Sequence, residues 1–208
     1  IPFSNPISIY SASSVAPHDA PDEAEYIEIG FEKGIPVSLD GKKMDGIKLI
    51  TEVDKIARQH GVGRIDHVED RLVGIKSRET YECPAATVLI AAHRSMEFMT
   101  LQKDVTSMKK RMEQRFSELA YEGLWFGLLR ESISAFVDKT QENVTGTVRV
   151  KLYKGSIMVV GRKSPYSLYD EGLATYAEGD IYDHNAAVGF IYCWGLPNKT
   201  ASRVHRKR

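Results

Sequence analysis

Thr147-Val148-Arg149-Val150-Lys151-Leu152-Tyr153 is followed, across Lys154-Gly155-Ser156, by Ile157-Met158-Val159-Val160. Apolar and polar residues alternate through the first run, which is the period-two pattern of a strand with one face in a core and the other in water. A short Gly-containing break between two β-branched runs is a hairpin turn, so an antiparallel pair is expected here. Immediately upstream, Leu129, Ile133, Phe136 and Val137 recur at helical spacing and predict a helix from about Leu128 to Glu142. Before that, the segment from Ala85 to Gly123 is poor in Gly and Pro and charged throughout, which predicts two consecutive helices broken near Asp104. Leu49, Val53 and Ile56 again follow helical spacing, and Gly61 supplies a stop. Tyr26 to Glu32 alternates and, with Ile35-Pro36-Val37-Ser38-Leu39 behind Gly34, predicts a second hairpin ending in a turn at Asp40-Gly41. Downstream, a helix from about Asp183 to Trp194 is expected to break at Pro197. Hairpins with clustered helices, in place of regular strand–helix alternation, make the expected fold class α+β with a C-terminal helix and tail.

A chain of 208 residues with 42% hydrophobic content can bury a real core, as one large domain or one domain with an appended tail. Lysine plus arginine and aspartate plus glutamate both number 28, so no whole-chain field draws it to nucleic acid or to an acidic membrane, and neither is expected as a partner. The longest apolar run, Ala85 to Ala92, is far shorter than the roughly 20 residues a membrane helix requires. The opening Ile1-Pro2-Phe3-Ser4-Asn5-Pro6 has no cationic stretch leading into an apolar core, which is not the pattern of a secretory signal. Lacking an initiator Met, the chain is expected to be a piece of a longer one. Cys83 and Cys193 are too few and too far apart in sequence for a disulfide framework or a spaced zinc site, and a reducing, cytosolic setting fits them. His18, His60, His67, His184 and His205 form no short-range ligand pair, so no metal site is expected. His93 has no recognisable nucleophile partner and reads as a helix histidine satisfied by a neighbouring group. Arg203, His205, Arg206, Lys207 and Arg208 read as a solvated basic end.

One stretch departs from this scaffold pattern: Gly63-Arg64-Ile65-Asp66-His67-Val68-Glu69-Asp70-Arg71-Leu72-Val73-Gly74-Ile75-Lys76-Ser77-Arg78, continuing through Glu79-Thr80-Tyr81-Glu82-Cys83-Pro84. Cations and carboxylates crowd around Val68, Leu72, Val73 and Ile75, so burying the segment would demand that its charges be paired or bound to a ligand. It reads as a site. From the residues alone, Glu69 either pairs with Arg71 or Arg64 in an ion-pair network or meets a ligand.

The words from Val68 to Glu79, with Tyr81-Glu82-Cys83-Pro84 behind them, closely resemble the synthetase half of the argininosuccinate synthase family. A second block carries the same resemblance: Asp138 to Gly146, then Leu152-Tyr153-Lys154-Gly155 and Gly161 to Tyr169. It runs from about Ala20 through Pro197. The resemblance implies that Glu69 and Tyr81 bind citrulline, the carboxylate by accepting charge-assisted hydrogen bonds from the substrate ammonium and the phenol by orienting it. Gly74, Lys76, Ser77 and Arg78 would form a polar loop shaping the pocket, while Asp70 stands where many relatives have Asn.

For the complete enzyme the resemblance implies an ATP-dependent ligation of citrulline with aspartate to argininosuccinate, AMP and pyrophosphate. ATP and magnesium would be bound mainly by a nucleotide-binding domain; this chain has no phosphate-loop motif, and no catalytic, cofactor or metal residue is assigned in it. Residues 1–24 would be a linker or arm, 25–182 the citrulline-binding synthetase domain, and 183–208 a helix and tail reaching across a homotetramer. Phe190, Ile191, Trp194 and Leu196 would supply its apolar face or, equally, close the protein's own core. The expected location is cytoplasmic. Alone, the chain would be an inactive binding and oligomerisation module.

Overall fold

Ile27, Ile29 and Phe31 on one strand and Val148, Val150 and Leu152 on its neighbour are each nearly inaccessible to solvent. Successive strand residues face opposite sides, so these alternating apolar residues form a continuous inner face. The computed structural model describes residues 13–175, 181 and 183–206. They fall in two units, residues 1–168 and 169–208.

The first unit contains β1 (Glu25–Glu32), β2 (Ile35–Leu39), β3 (Lys42–Lys43), α1 (Gly46–Gln59), β4 (Arg64–Asp70), β5 (Lys76–Glu82), α2 (Pro84–Thr100), α3 (Lys103–Tyr121), α4 (Leu128–Gln141), β6 (Gly146–Tyr153) and β7 (Ser156–Lys163). Five strands form an antiparallel sheet in the order β3-β2-β1-β6-β7, while β4 and β5 pair as a separate two-stranded sheet. In the central pair Ile29 lies opposite Val148 and Ile27 opposite Val150. Against that face α1 lays Leu49, Val53 and Ala57, and α2 lays Val88, Ala92 and Met96, all in one core. Each fully buried aliphatic side chain contributes on the order of 1.5–3 kcal/mol.

Local chemistry sets the helix ends. Asp45 caps α1 by accepting from the amide of Lys48 at 3.0 Å, and Gly61 takes a φ of 66° just beyond the helix. The break between α2 and α3 falls at Leu101 and Gln102, slightly before the expected position, because both adopt extended backbone. The hairpins and the helix of residues 128–141 lie where the periodicity placed them. Residues 13–24 run without helix or strand but are pinned: the amide of Val15 donates to the carbonyl of Arg58 at 3.0 Å, and Ser14 and Ala20 are buried.

The second unit contains α5 (Glu171–Ala174) and α6 (His184–His205). Asp183 caps α6 by accepting from the amide of Asn185. The expected break at Pro197 is corrected here: α6 runs straight through it. A proline inside a helix removes one backbone bond, a cost that the bonds of the turns on either side of Pro197 outweigh in this 22-residue helix. Arg203 and His205 therefore sit in the last turn, where cations complement the helix dipole, with Arg206 as the cap. Residues 1–12 of the expected arm, and Lys207 and Arg208 of the tail, lie outside the described residues.

Candidate functional site

The charged stretch forms a hairpin. Its register runs from Arg64 opposite Glu82 to Asp70 opposite Lys76. The link closes with Arg71 donating to the carbonyl of Ile75 at 2.9 Å and Gly74 donating to that of Arg71 at 2.7 Å. Gly74 has a φ of 81°, a conformation that favours glycine. Lys76, Ser77 and Arg78 thus lie in β5; the expected polar loop is confined to residues 71–75, because cross-strand bonds extend the strand to Lys76.

Residues opposite one another share a face. One face therefore carries Ile65 with Tyr81, His67 with Glu79 and Glu69 with Ser77; the other carries Asp66, Val68 and Asp70 with Thr80, Arg78 and Lys76. The second face is laced by ion pairs. Arg78 grips Asp66 with two bonds of 2.9 and 2.7 Å, and Lys76 reaches Asp70 at 2.7 Å. The bond from Arg78 holds the Asp66 carboxyl below its usual range.

On the first face the Tyr81 hydroxyl donates to Oε1 of Glu69 at 3.1 Å, and Nε2 of His67 lies 3.0 Å from Oε2 of the same carboxylate. The His67 and Tyr81 rings meet edge to face with centroids 5.5 Å apart. The bond to Glu69 pushes the Tyr81 phenol above its ordinary range, assisted by burial and by the charges of Glu69 and Glu79. Ser77, opposite Glu69, has a buried hydroxyl without a hydrogen-bond partner among the described residues. Glu69 consequently pairs neither with Arg64 nor with Arg71: Arg64 reaches the carbonyl of Val15, and Arg71 lies 3.9 Å from Glu79.

Both ends of the hairpin are tethered. At the base, Cys83 donates to the carbonyl of Gly63 at 2.8 Å, and Glu82 accepts from Ser13 at 2.6 Å and from Ser14. At the tip, the Tyr121 hydroxyl at the end of α3 donates to the carbonyl of Asp70 at 3.2 Å. Sequence reasoning missed His67 and Tyr121 as members of this neighbourhood. His67 had a signal, since it stands two residues before Glu69 and shares its face in any strand; Tyr121 had none, because its approach is made across the fold.

His93 is satisfied by a neighbour, with Nε2 2.9 Å from Oε1 of Gln141. Gln141 in turn donates to Glu97 at 2.8 Å, and Lys109 lies 2.9 Å from the same carboxylate, forming a buried network across α2, α3 and α4. Clefts of about 520 and 450 Å³ lie at His60 with Glu25 and at His93 with Glu97; neither is lined by Glu69 or Tyr81. Among the described residues no group of three or more His, Cys, Asp or Glu side chains gathers to hold a metal ion, and none of them is assigned to magnesium. No helix among them is long and apolar enough to cross a membrane.

Fold and site together define an α+β domain in which a carboxylate, a phenol and an imidazole gather on one face of a tethered hairpin. Comparison with known proteins is consistent with this and more specific: the family model described as the argininosuccinate synthase C-terminal domain matches residues 2–201, and the chain belongs to that family. It is 59% identical over 194 residues to the argininosuccinate synthase of Halalkalibacterium halodurans, covering 93% of this chain and 47% of that protein. The corresponding protein of Gloeobacter violaceus is 51% identical over 205 residues, covering 99% and 52%, and that of Symbiobacterium thermophilum 56% over 195, covering 94% and 49%. The chain spans about half the length of the curated relatives it matches.

Proposed function

We propose that this chain is the part of an argininosuccinate synthase that clamps citrulline and assembles subunits. The Tyr81–Glu69 hydrogen bond is the observation that carries this reading, because it joins the two residues in one unit on a tethered hairpin and leaves the carboxylate with spare lone pairs. In the complete ligase the ureido oxygen of citrulline attacks the α-phosphorus of ATP and releases pyrophosphate; the amine of aspartate then displaces AMP. Glu69 accepts hydrogen bonds from the citrulline α-ammonium, and Tyr81 orients it, leaving the ureido end toward a nucleotide-binding domain elsewhere in the ligase. That domain binds ATP with magnesium, which compensates phosphate charge during transfer. Neither Glu69 nor Tyr81 transfers a proton in this scheme.

The α6 helix joins subunits of a cytoplasmic homotetramer. This is supported by its exposed Phe190, Ile191, Trp194 and Leu196. By itself the chain is a binding and assembly module without turnover, as its lack of a phosphate-loop motif favours. The test is titration of the isotopically labelled chain with L-citrulline, read by amide shifts. Saturable shifts at Glu69, Ser77 and Tyr81 are expected; shifts absent there at millimolar citrulline would sink the clamp.

A further inference from the structure

We infer that His67 is a positioning residue for citrulline, holding the Glu69 carboxylate in the orientation that receives the substrate's ammonium; this rests on the reading of Glu69 and Tyr81 given above. Along the face the order is Ile65 with Tyr81, then His67 with Glu79, then Glu69 with Ser77. Tyr81 therefore reaches Glu69 across the level that His67 occupies. The three side chains close a ring of contacts: 3.1 Å from the phenol to Oε1, 3.0 Å from imidazole Nε2 to Oε2, and 5.5 Å between the two aromatic centroids.

Each contact has a distinct chemical consequence. An ionised carboxylate only accepts hydrogen bonds, so the bond to Glu69 assigns a proton to Nε2 of His67. One donor then engages each carboxylate oxygen, and each oxygen keeps a further acceptor position for the ammonium of an amino acid. A glutamate side chain on a hairpin face has three rotatable bonds; with its oxygens held from two sides, less of that freedom is lost when substrate arrives. His67 also props the Tyr81 ring edge-on, so it orients both groups without touching the reacting atoms. The groups facing this cluster include Ser77 opposite Glu69, Glu79 on the same sheet face and Tyr121 from the end of α3, the last two of which act on Tyr81.

The test compares H67L, H67Q and E69Q in the full-length synthase that carries this chain, measuring kcat and the KM values of citrulline and aspartate separately. H67L should raise the citrulline KM roughly fivefold to tenfold, the scale of one charge-assisted hydrogen bond at a partly exposed site. Its kcat and aspartate KM should stay near wild type. H67Q keeps an N–H near the Nε2 position and should restore most of the citrulline affinity. If E69Q raises the citrulline KM while H67L does not, Glu69 binds substrate but His67 does not position it. If H67L and H67Q lower kcat equally without affecting KM, the role is structural and the inference falls. An unchanged citrulline KM in E69Q would remove the Glu69 reading itself, and this inference with it.

Discussion

The phenol of Tyr81 lies 3.1 Å from Oε1 of Glu69, although twelve positions separate them along the chain and His67 occupies the level between them on the sheet face. The hairpin register brings them together, and the length of the tyrosine side chain bridges the gap. Two residues marked out by a family resemblance are thus one hydrogen-bonded unit, and their effects should be coupled.

Tyr81→Phe removes the donor while preserving the ring. A roughly fivefold rise in the citrulline KM of the full-length ligase is expected, with the aspartate KM unchanged. The same bond has a pH signature. Because the folded phenol titrates above its ordinary range, the stabilisation it contributes is fully present below the unfolded value and is lost as pH rises through the elevated one. Carbon-13 NMR of the tyrosine rings should show Tyr81 titrating late, and Glu69→Gln should return it toward the ordinary phenol range.

Asp66 has the opposite sign. Its folded carboxyl titrates below the usual value because Arg78 holds it with two bonds. The stabilisation is therefore present above the unfolded value and disappears as pH falls through the depressed one. Amide protection factors at Asp66 and residue 78, corrected for the intrinsic slowing of exchange in acid, should fall on acidification in the wild type, and that fall should be absent in Arg78→Leu.

Gly63 enters the hairpin with a φ of 86°, and a Cβ there would meet the N and Cα atoms of Pro84 at 2.6 Å. Gly63→Ala combines an unfavourable backbone conformation with a clash against main chain. A loss of at least about 2 kcal/mol is expected in urea unfolding; a loss below about 0.5 kcal/mol would mean that the base of the hairpin yields easily.

Lys109 and Glu97 are each only 5% exposed and lie 2.9 Å apart. Lys109→Met leaves the Glu97 charge buried without its cation and should cost about 3 kcal/mol of stability. Converting both to apolar residues should recover much of that loss, because the charge left behind, that of Glu113, which also pairs with Lys109, is partly exposed to water. Chemical denaturation of the single and double variants distinguishes this from a simple packing defect.

Given ATP, magnesium, citrulline and aspartate, the chain by itself should release no citrulline-dependent pyrophosphate. A coupled pyrophosphate assay, with citrulline omitted as control, reads this directly. Release would reveal a nucleotide site within the 208 residues.

Much of the fold was legible because the relevant interactions are local. Alternation at Val148, Val150 and Leu152 and helical spacing at Leu49 and Val53 translate directly into the buried face they share. Pro197 misled because the intrinsic cost of a proline was read without the helical turns that continue on both sides of it in α6. At the site, Glu69 and Tyr81 stood out only through the wording around them. The segment taken for a polar loop is mostly β5, since charge along a strand with no apolar face hides the pairing that makes it a strand.

Residue order alone was enough to specify the α+β class and the main hairpins and helices, and it singled out Glu69 and Tyr81 as candidates, because periodicity and family wording are both properties of neighbours along the chain. Only the tertiary structure decided that the ring of His67 meets that of Tyr81, that Tyr121 holds the hairpin tip and that Ser13 and Ser14 hold its base. Those contacts depend on strand register and on segments packed from far along the sequence, and hydrogen bonds are set by distances in space that local spacing does not encode.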